Sequence, residues 1–599
     1  MIAIEEYSQD AVLKIGEVVA VEGQRITVRV DSNKNSTELF YNGSILKNVS
    51  VNGYIEIKKG FTSLIGRVEG EKIDQDPLVD ESKPYQEQNK NRRFLTVSLV
   101  GFIDPKGKFI GGLKELPLIA NEAYLLTLEK LEIIHNLISD EKPHIIIATN
   151  DHDDLPIRLP INGLFNSHIA IFGNTGSGKS NTLAALYQAF FKELNQSNNH
   201  KFVFIDFNGE YTLNNCITQN KRTYNLSTKD TQGDKLSLGQ QDFFDIEVLS
   251  ILASATEQTQ KPFLKRAIIY YLSVMNNTDP LNYTKNIIKK HTKAVLRSSD
   301  KSPAWEMIDY LKQILPDHEE DTFRFLPNSQ QVAPNNGYFN SDTDIEATNL
   351  YKSIDNFKLS EHMMENFICF IYLQLISDVL QSRAKNEHIA PVINRLKSKK
   401  EDIEKIFSLE TSTQINPIFQ NNSVIAISLD KVNLDMKKMI PLLLCKKLYN
   451  EHKNNIDRGE GTLTFIIDEA HNILSTESFR EAESWRDYRL ETFEEIIKEG
   501  RKFGVFVTIA SQRPSDISET ITSQAHNYFI HRLINQRDLA MISKAVSYID
   551  KITESSIPTL STGTCIFSGI ATQIPLKLNV NELPDLQKPQ SKTFEFFNQ

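Results

Sequence analysis

Eight consecutive residues, Gly173-Asn174-Thr175-Gly176-Ser177-Gly178-Lys179-Ser180, satisfy the spacing G-x-x-x-x-G-K-[ST]. Glycines at these positions let successive backbone N–H groups turn inward around phosphate oxygens, and a helix beginning at the lysine adds the partial positive charge of its N-terminus. Lys179 can then reach the β- and γ-phosphates of ATP, and the Ser180 hydroxyl can ligate Mg²⁺. Residues 173–180, with Asn181 after them, are the candidate ATP-binding segment.

Far downstream, Thr462-Leu-Thr-Phe-Ile-Ile-Asp468-Glu469-Ala-His471 is an apolar strand ending in two adjacent carboxylates. Read alone, such a pair also fits a solvated turn. Beside a phosphate-binding loop it becomes the expected hydrolytic partner, with Asp468 holding Mg²⁺ through its water shell and Glu469 orienting the attacking water. A carboxylate at Glu469 favours hydrolysis coupled to motion over phosphate transfer to a metabolite. Further on, the apolar strand Val505-Phe-Val-Thr-Ile-Ala-Ser511 runs into Gln512-Arg513-Pro514. Gln512 can sense the γ-phosphate or the attacking water, or it can satisfy the turn before Pro514. Arg501, near the end of the preceding helix, can complement the helix dipole or serve a neighbouring subunit's ATP as an arginine finger.

These groups need a sheet to hold them. The strand His168-Ile-Ala-Ile-Phe172 precedes the loop, and the following helix places Leu183, Leu186, Tyr187 and Phe190 at i, i+3, i+4, i+7. Apolar strands alternating with amphipathic helices after Leu164 indicate an α/β unit with a parallel sheet. Before it, short alternating segments from Lys14 to about Leu131, punctuated by Gly23, Asn42-Gly43 and Asn52-Gly53, indicate a small antiparallel barrel. The polar stretch Asp74 to Arg93 reads as a long loop within that barrel. The expected division is a barrel over 1–140, an ATPase core over 141–250 and 421–599 with a β-rich tail, and an inserted helical subdomain over 251–420.

The bulk properties limit the alternatives. At 599 residues, two or three domains are expected. The balance of 67 basic against 77 acidic residues, net −10, argues against a surface that is basic all over, so any nucleic-acid contact must come from a local lining or patch. Basic runs at Lys285 to Lys293 and Arg395 to Lys400 are candidates, although each also reads as a solvated helix face. Cys216, Cys369, Cys445 and Cys565 show no C-x-x-C pairing, so neither a zinc site nor a disulfide framework is indicated, and a reducing cytoplasm fits. Met1 to Leu13 lacks the pattern of a signal peptide, and no uninterrupted apolar run suits a membrane-spanning helix, so no membrane association is expected.

Taken with the N-terminal barrel, the glycine-rich loop, Asp206-Phe-Asn-Gly-Glu210-Tyr211, Ile467-Asp-Glu-Ala-His471, Glu499-Gly-Arg-Lys-Phe-Gly504 and Ser511-Gln-Arg-Pro514 resemble the HerA family of hexameric DNA translocases, relatives of the FtsK motors. The resemblance implies a RecA-like α/β ATPase core with a helical insertion, preceded by a HAS-barrel-like domain. It also implies a homo-hexameric ring with ATP at subunit interfaces and double-stranded DNA in the channel; nothing in the sequence resembles a base-reading module, so binding without sequence specificity is expected. In that family the barrels dock an effector, a nuclease of the NurA type or another nuclease, or a sirtuin-like NADase, which would place the chain in DNA end processing or antiviral defence. Asp206 and Glu210 match a family motif, and the sequence assigns them no role of their own. Two other readings stay open: a nucleotide-gated ring that activates an effector without moving along DNA, and an ATPase of the conjugative secretion type.

Overall fold

The structure, a computed structural model, describes residues 12–589 apart from 35–37, 42–43, 76–90, 137, 139–141, 195–199, 214, 231, 239–242, 300, 316–320, 329–330, 336, 409–417, 420, 456–460, 478–482 and 547–548. The Asn42-Gly43 turn, most of the Asp74 to Arg93 stretch and nearly all of the first thirteen residues therefore lie outside the described residues.

Six strands close on themselves at the N-terminus: Lys14–Glu22, Arg25–Val30, Tyr54–Lys59, Thr62–Gln75, Asn91–Ile103 and Glu122–Leu125. Pairing of Arg25–Val30 with Asn91–Ile103 completes the barrel, which leaves none of these six with an open edge along that seam. The strand pair flanking the expected loop continues to Gln75↔Asn91, so regular structure reaches into a stretch that its polarity marked as loop. Ile15, Val18, Val28, Ile55, Ile57, Leu64, Leu95 and Val97 fill the interior.

The second sheet has eleven strands among the described residues. Seven neighbours run parallel, in the order Asn527–Ile530, Ile169–Phe172, Val505–Ser511, Leu463–Ile467, Lys201–Asp206, Val424–Lys431 and Arg222–Ser227. Four antiparallel strands, Thr564–Gly569, Leu576–Val580, His144–Asn150 and Pro156–Pro160, extend the Asn527–Ile530 edge. The central strands are buried on both faces, which is why they read as continuous Val, Ile and Phe runs and not as alternation.

One face of the sheet is covered by the helix Lys179–Glu193, whose Leu183, Leu186, Tyr187 and Phe190 point into a core shared with Phe202, Phe204 and Ala510. Burying each such side chain contributes roughly 1.5–3 kcal/mol. The other face joins a larger core with the helices between Ile246 and Ile406. Among the described residues, Met363–Leu380 is the one helix long and apolar enough to cross a membrane, and 61% of it is buried inside the fold. It carries Glu365 and Asp378, so it is not an uninterrupted apolar run. Asp378 is fully buried and accepts hydrogen bonds from Arg266 Nη2 at 2.7 Å and Gln374 Nε2 at 2.8 Å, a pairing that makes a charge tolerable inside a helical core.

The barrel is fastened to the α/β unit by specific bonds. Arg67 Nη1 reaches Thr553 Oγ1 at 2.6 Å and Asp550 Oδ2 at 3.1 Å, and Gln573 Oε1 accepts the Gly111 N–H at 2.6 Å.

Candidate active site

Four neighbouring parallel strands deliver their C-terminal ends to one place. The register pairs Phe172 with Ser511, Ile467 with Ile509 and Ile205 with Ile467, so the glycine-rich loop, Gln512, Asp468-Glu469 and Asp206 all leave the sheet at one level. This is the rim where ligands collect in open α/β sheets.

The loop depends on its glycines. Gly176 and Gly178 have φ of +74° and +106°, a region that L side chains seldom enter. A Cβ at Gly173 would sit 2.5 Å from both Ser177 Oγ and His531 Cβ. Below the loop, His531 is fully buried, with Nε2 at 2.9 Å from Thr182 Oγ1 and Nδ1 at 3.1 Å from Thr564 O.

Lys179 is 4% exposed and lies between the acids, 2.8 Å from Asp468 Oδ1 and 3.0 Å from Glu469 Oε1. Burial would lower its pKa, but the two carboxylates outweigh that and hold the ammonium above its ordinary value. Gln512 ties the cluster together: Nε2 donates to Glu469 Oε1 at 2.5 Å while Oε1 accepts from Thr175 Oγ1 at 2.6 Å. Gln512 thus bonds both the acid that ends one strand and the loop that follows another. Glu469 itself has a φ of +47°, an uncommon conformation for a non-glycine residue, and its Oε2 lies 3.3 Å from His471 Nδ1.

Asp206 gains a structural task. It is fully buried and accepts the N–H groups of Gly209 and Tyr211 at 2.8 Å and of Asn208 at 3.2 Å, which folds residues 207–211 into a tight loop. Burial pushes its carboxyl up to about 6 against those hydrogen bonds. The loop presents Glu210 to the same cavity as Lys179, Ser180 and Glu469. Its pKa is raised by burial and by Asp468, and a hydrogen bond with Ser180 opposes the rise.

The donor set suits Mg²⁺. Asp468 and Glu469 flank the one ammonium with Glu210 beside it, and Asp468 Oδ2 is buried with no hydrogen-bond partner among the described residues. A triphosphate set against these carboxylates needs a divalent cation to balance it, and Ser180 and Asp468 are the residues that would hold one.

Arg501 is not brought to this rim. It is exposed in the turn Gly500–Phe503 before the strand Val505–Ser511, and its charge acts on His168 and His526 at the strands' opposite ends. Seven residues of strand separate it from Gln512, about 23 Å. The basic runs are largely neutralised. Lys289 pairs with Asp355 at 2.8 Å, Lys293 with Glu346 at 2.6 Å and Lys399 with Asp435 at 3.0 Å, while Arg395 caps Ala253 O and Ser254 O at 3.0 and 2.8 Å. That is the arrangement of solvated helix faces.

Other lining residues escaped the sequence reading. Thr562, Gly563, Asn579, Val580, Asn581, Glu582, Lys588 and Pro589 from the C-terminal region close a cavity of about 650 Å³ over the glycine-rich loop. Asn181 lines it too, but its side-chain amide is bound to the backbone of Asn581 and Leu583. No local pattern signals these contacts, because they join residues 400 and 402 positions apart.

Residues 145–448 match the family described as "Helicase HerA, central domain". This chain belongs to the HerA helicase family. Its relatives include a probable helicase of Methanocaldococcus jannaschii, 23% identical over 72% of this chain and 65% of its own length. The DNA double-strand break repair helicase HerA of Sulfurisphaera tokodaii is 23% identical over 72% of this chain and 67% of its own. A second probable helicase of M. jannaschii matches over 92% of this HerA-family chain and 89% of its own, at 22% identity. Among solved structures, VirB4 of Thermoanaerobacter pseudethanolicus covers 75% of this chain and 99% of its own at a TM-score of 0.42 and 12% identity. The coupling protein TrwB with ADP and Mg²⁺ covers 72% and 89% at 0.38 and 11%. The HerA-family core described above is a P-loop ATPase fold.

The buried imidazoles of this core make its stability pH-dependent. Burial holds His168 and His531 down at about 4, against an ordinary value of 6.5. Between these values the unfolded chain binds protons that the folded one does not, so stability is present above 6.5 and is lost as pH falls toward 4. The thermal midpoint should therefore drop between pH 7.5 and pH 5. A midpoint that is flat or rising on acidification would contradict neutral imidazoles at these positions.

Proposed function

We propose that this protein is an ATP-driven double-stranded DNA translocase or helicase that works as a homo-hexameric ring. The observation carrying this reading is the convergence of Lys179, Asp468, Glu469 and Gln512 on one rim of the sheet, in a chain of the HerA family. The loop amides of residues 173–180 and the Lys179 ammonium bind the triphosphate. Glu469, fixed by Gln512, takes a proton from the attacking water as the water's oxygen bonds to the γ-phosphorus, and the bond from that phosphorus to the bridging oxygen breaks, releasing ADP and phosphate. Gln512, bridging Glu469 and Thr175, reports whether the terminal phosphate is present. Mg²⁺, held by Ser180 and Asp468, supplies positive charge against the phosphates when bound.

Purified protein should hydrolyse ATP in a Mg²⁺-dependent manner, faster with duplex DNA of unrelated sequences, and should displace a triplex strand or a bound block from that duplex. DNA affinity should fall steeply with salt, as expected for phosphate contacts. Intact rings that never hydrolyse ATP with any DNA would refute the reading. ATP-dependent activation of an effector without displacement would replace it by a ring scaffold. The effector proposed for the barrels is a nuclease or a NADase, which would place the ring in end processing or antiviral defence.

Arg501 faces away from its own chain's rim, so we assign it to the neighbouring subunit's ATP. Arg501→Ala and Lys179→Ala proteins should each be inactive alone, and rings mixed from both should regain part of the activity. Such rings contain interfaces where an intact loop meets an intact arginine. Activity that never exceeds the two parents would remove Arg501 from this role.

A further inference from the structure

The segment following the last strand of the sheet lies along the phosphate-binding helix. Asn181 Nδ2 donates to Asn581 O at 3.1 Å, and Asn181 Oδ1 accepts the Leu583 N–H at 3.2 Å. Seven residues later, Gln188 Nε2 donates to Gln587 O at 3.0 Å. Positions i and i+7 share one face of a helix, so the tail occupies a continuous strip of that face, beginning beside Lys179. Just past the second anchor, Lys588 folds back onto Glu582 at 2.6 Å and Asp585 at 2.9 Å.

The cavity above the loop therefore has two chemically distinct ends. At one end are Lys179, Glu469 and Gln512, and at the other Asn579, Asn581, Glu582, Lys588 and Pro589. A loop of this type directs the terminal phosphates to its lysine and cradles the α- and β-phosphates on its amides. What the α-phosphate carries must then leave the loop beyond Ser180, over Asn181, and that is the side the tail encloses.

We propose that residues 579–589 form the nucleoside wall of this site, with Glu582 and Lys588 meeting the ribose and base and so selecting the nucleotide. This rests on reading the cavity as the nucleotide site. Glu582 is 80% exposed and its pairing with Lys588 is a surface ion pair, worth little by itself, so the two can part and re-form around a ligand. The phosphate end is the reverse, with its charges buried and fixed.

The test separates the two ends by ligand. Wild-type protein, Glu582→Ala and Lys588→Ala are titrated calorimetrically with ADP and with inorganic tripolyphosphate in Mg²⁺ buffer. Each variant should lose roughly five- to tenfold in ADP affinity, the scale of one polar contact, and stay within about twofold of wild type for tripolyphosphate. Equal losses for both ligands, or no loss for either, would overturn the inference. Wild-type protein that binds neither ligand would instead refute the proposed function beneath it. Both side chains lie on the surface, and Glu582→Gln, which keeps the shape and removes the charge, repeats the test without shortening the side chain.

Discussion

Replacing Glu469 with Gln should leave nucleotide binding intact while lowering ATP turnover by roughly 10²- to 10⁴-fold, the range for losing a positioned general base. Gln has the size of Glu and can still accept from Lys179 and Gln512, which lie 3.0 and 2.5 Å from Oε1. What it cannot do is take a proton from water at neutral pH. The backbone at Glu469 supports a dedicated role: a φ of +47° costs on the order of 1–3 kcal/mol at a non-glycine position, and here it falls on the residue whose carboxylate faces Lys179 and Gln512. The substitution also removes one negative charge from the acidic cluster, so ATP should bind as tightly as before or more tightly. Turnover within tenfold of wild type, with the nucleotide bound, would strip Glu469 of this role and leave the water to another group.

The parts of this site that were legible in the sequence are those encoded within about ten residues. The loop spacing, the i, i+3, i+4, i+7 stripe on its helix and the carboxylates ending Leu463–Ile467 each follow from local chemistry, and the structure sets loop and acids on two strands with only Val505–Ser511 between them. Asp206 and Glu210 were visible as a motif but had no task, because Asp206 acts by gathering three backbone N–H groups, a role that only the folded loop reveals. The tail could not be read: an Asn and a Gln on a helix say nothing of partners some 400 residues away. The basic runs were ambiguous for the same reason, since the acids that neutralise Lys289, Lys293 and Lys399 come from other segments. Arg501 differs again. A residue that precedes a parallel strand must stand at the rim opposite to one that follows it, so chain order alone already separates Arg501 from Gln512.

Lys179→Ala should do more than abolish hydrolysis: it should weaken the protein before any nucleotide is added. The ammonium is 4% exposed between Asp468 and Glu469, themselves 2% and 5% exposed, with Asp206 and Glu210 close by. Removing one member of a buried ion pair typically costs about 3–5 kcal/mol, because the remaining charge is left desolvated and unpaired. Here the remaining charges also repel one another, and the relief open to them is to bind a proton. Glu210, already raised by burial and by Asp468 and held back by the Lys179 charge, should therefore rise further in the variant. The stability that such groups confer is present below the unfolded value and lost as pH rises through the folded one. The variant's deficit in thermal midpoint should thus be largest near pH 8 and shrink as pH falls toward 5. Lys179→Met, which keeps most of the side-chain volume, should show the same pH dependence, because the missing charge and not the missing volume is its cause. A deficit that is independent of pH would mean that the acids do not depend on Lys179, and the ion triad would lose its place as the feature that holds the empty site together.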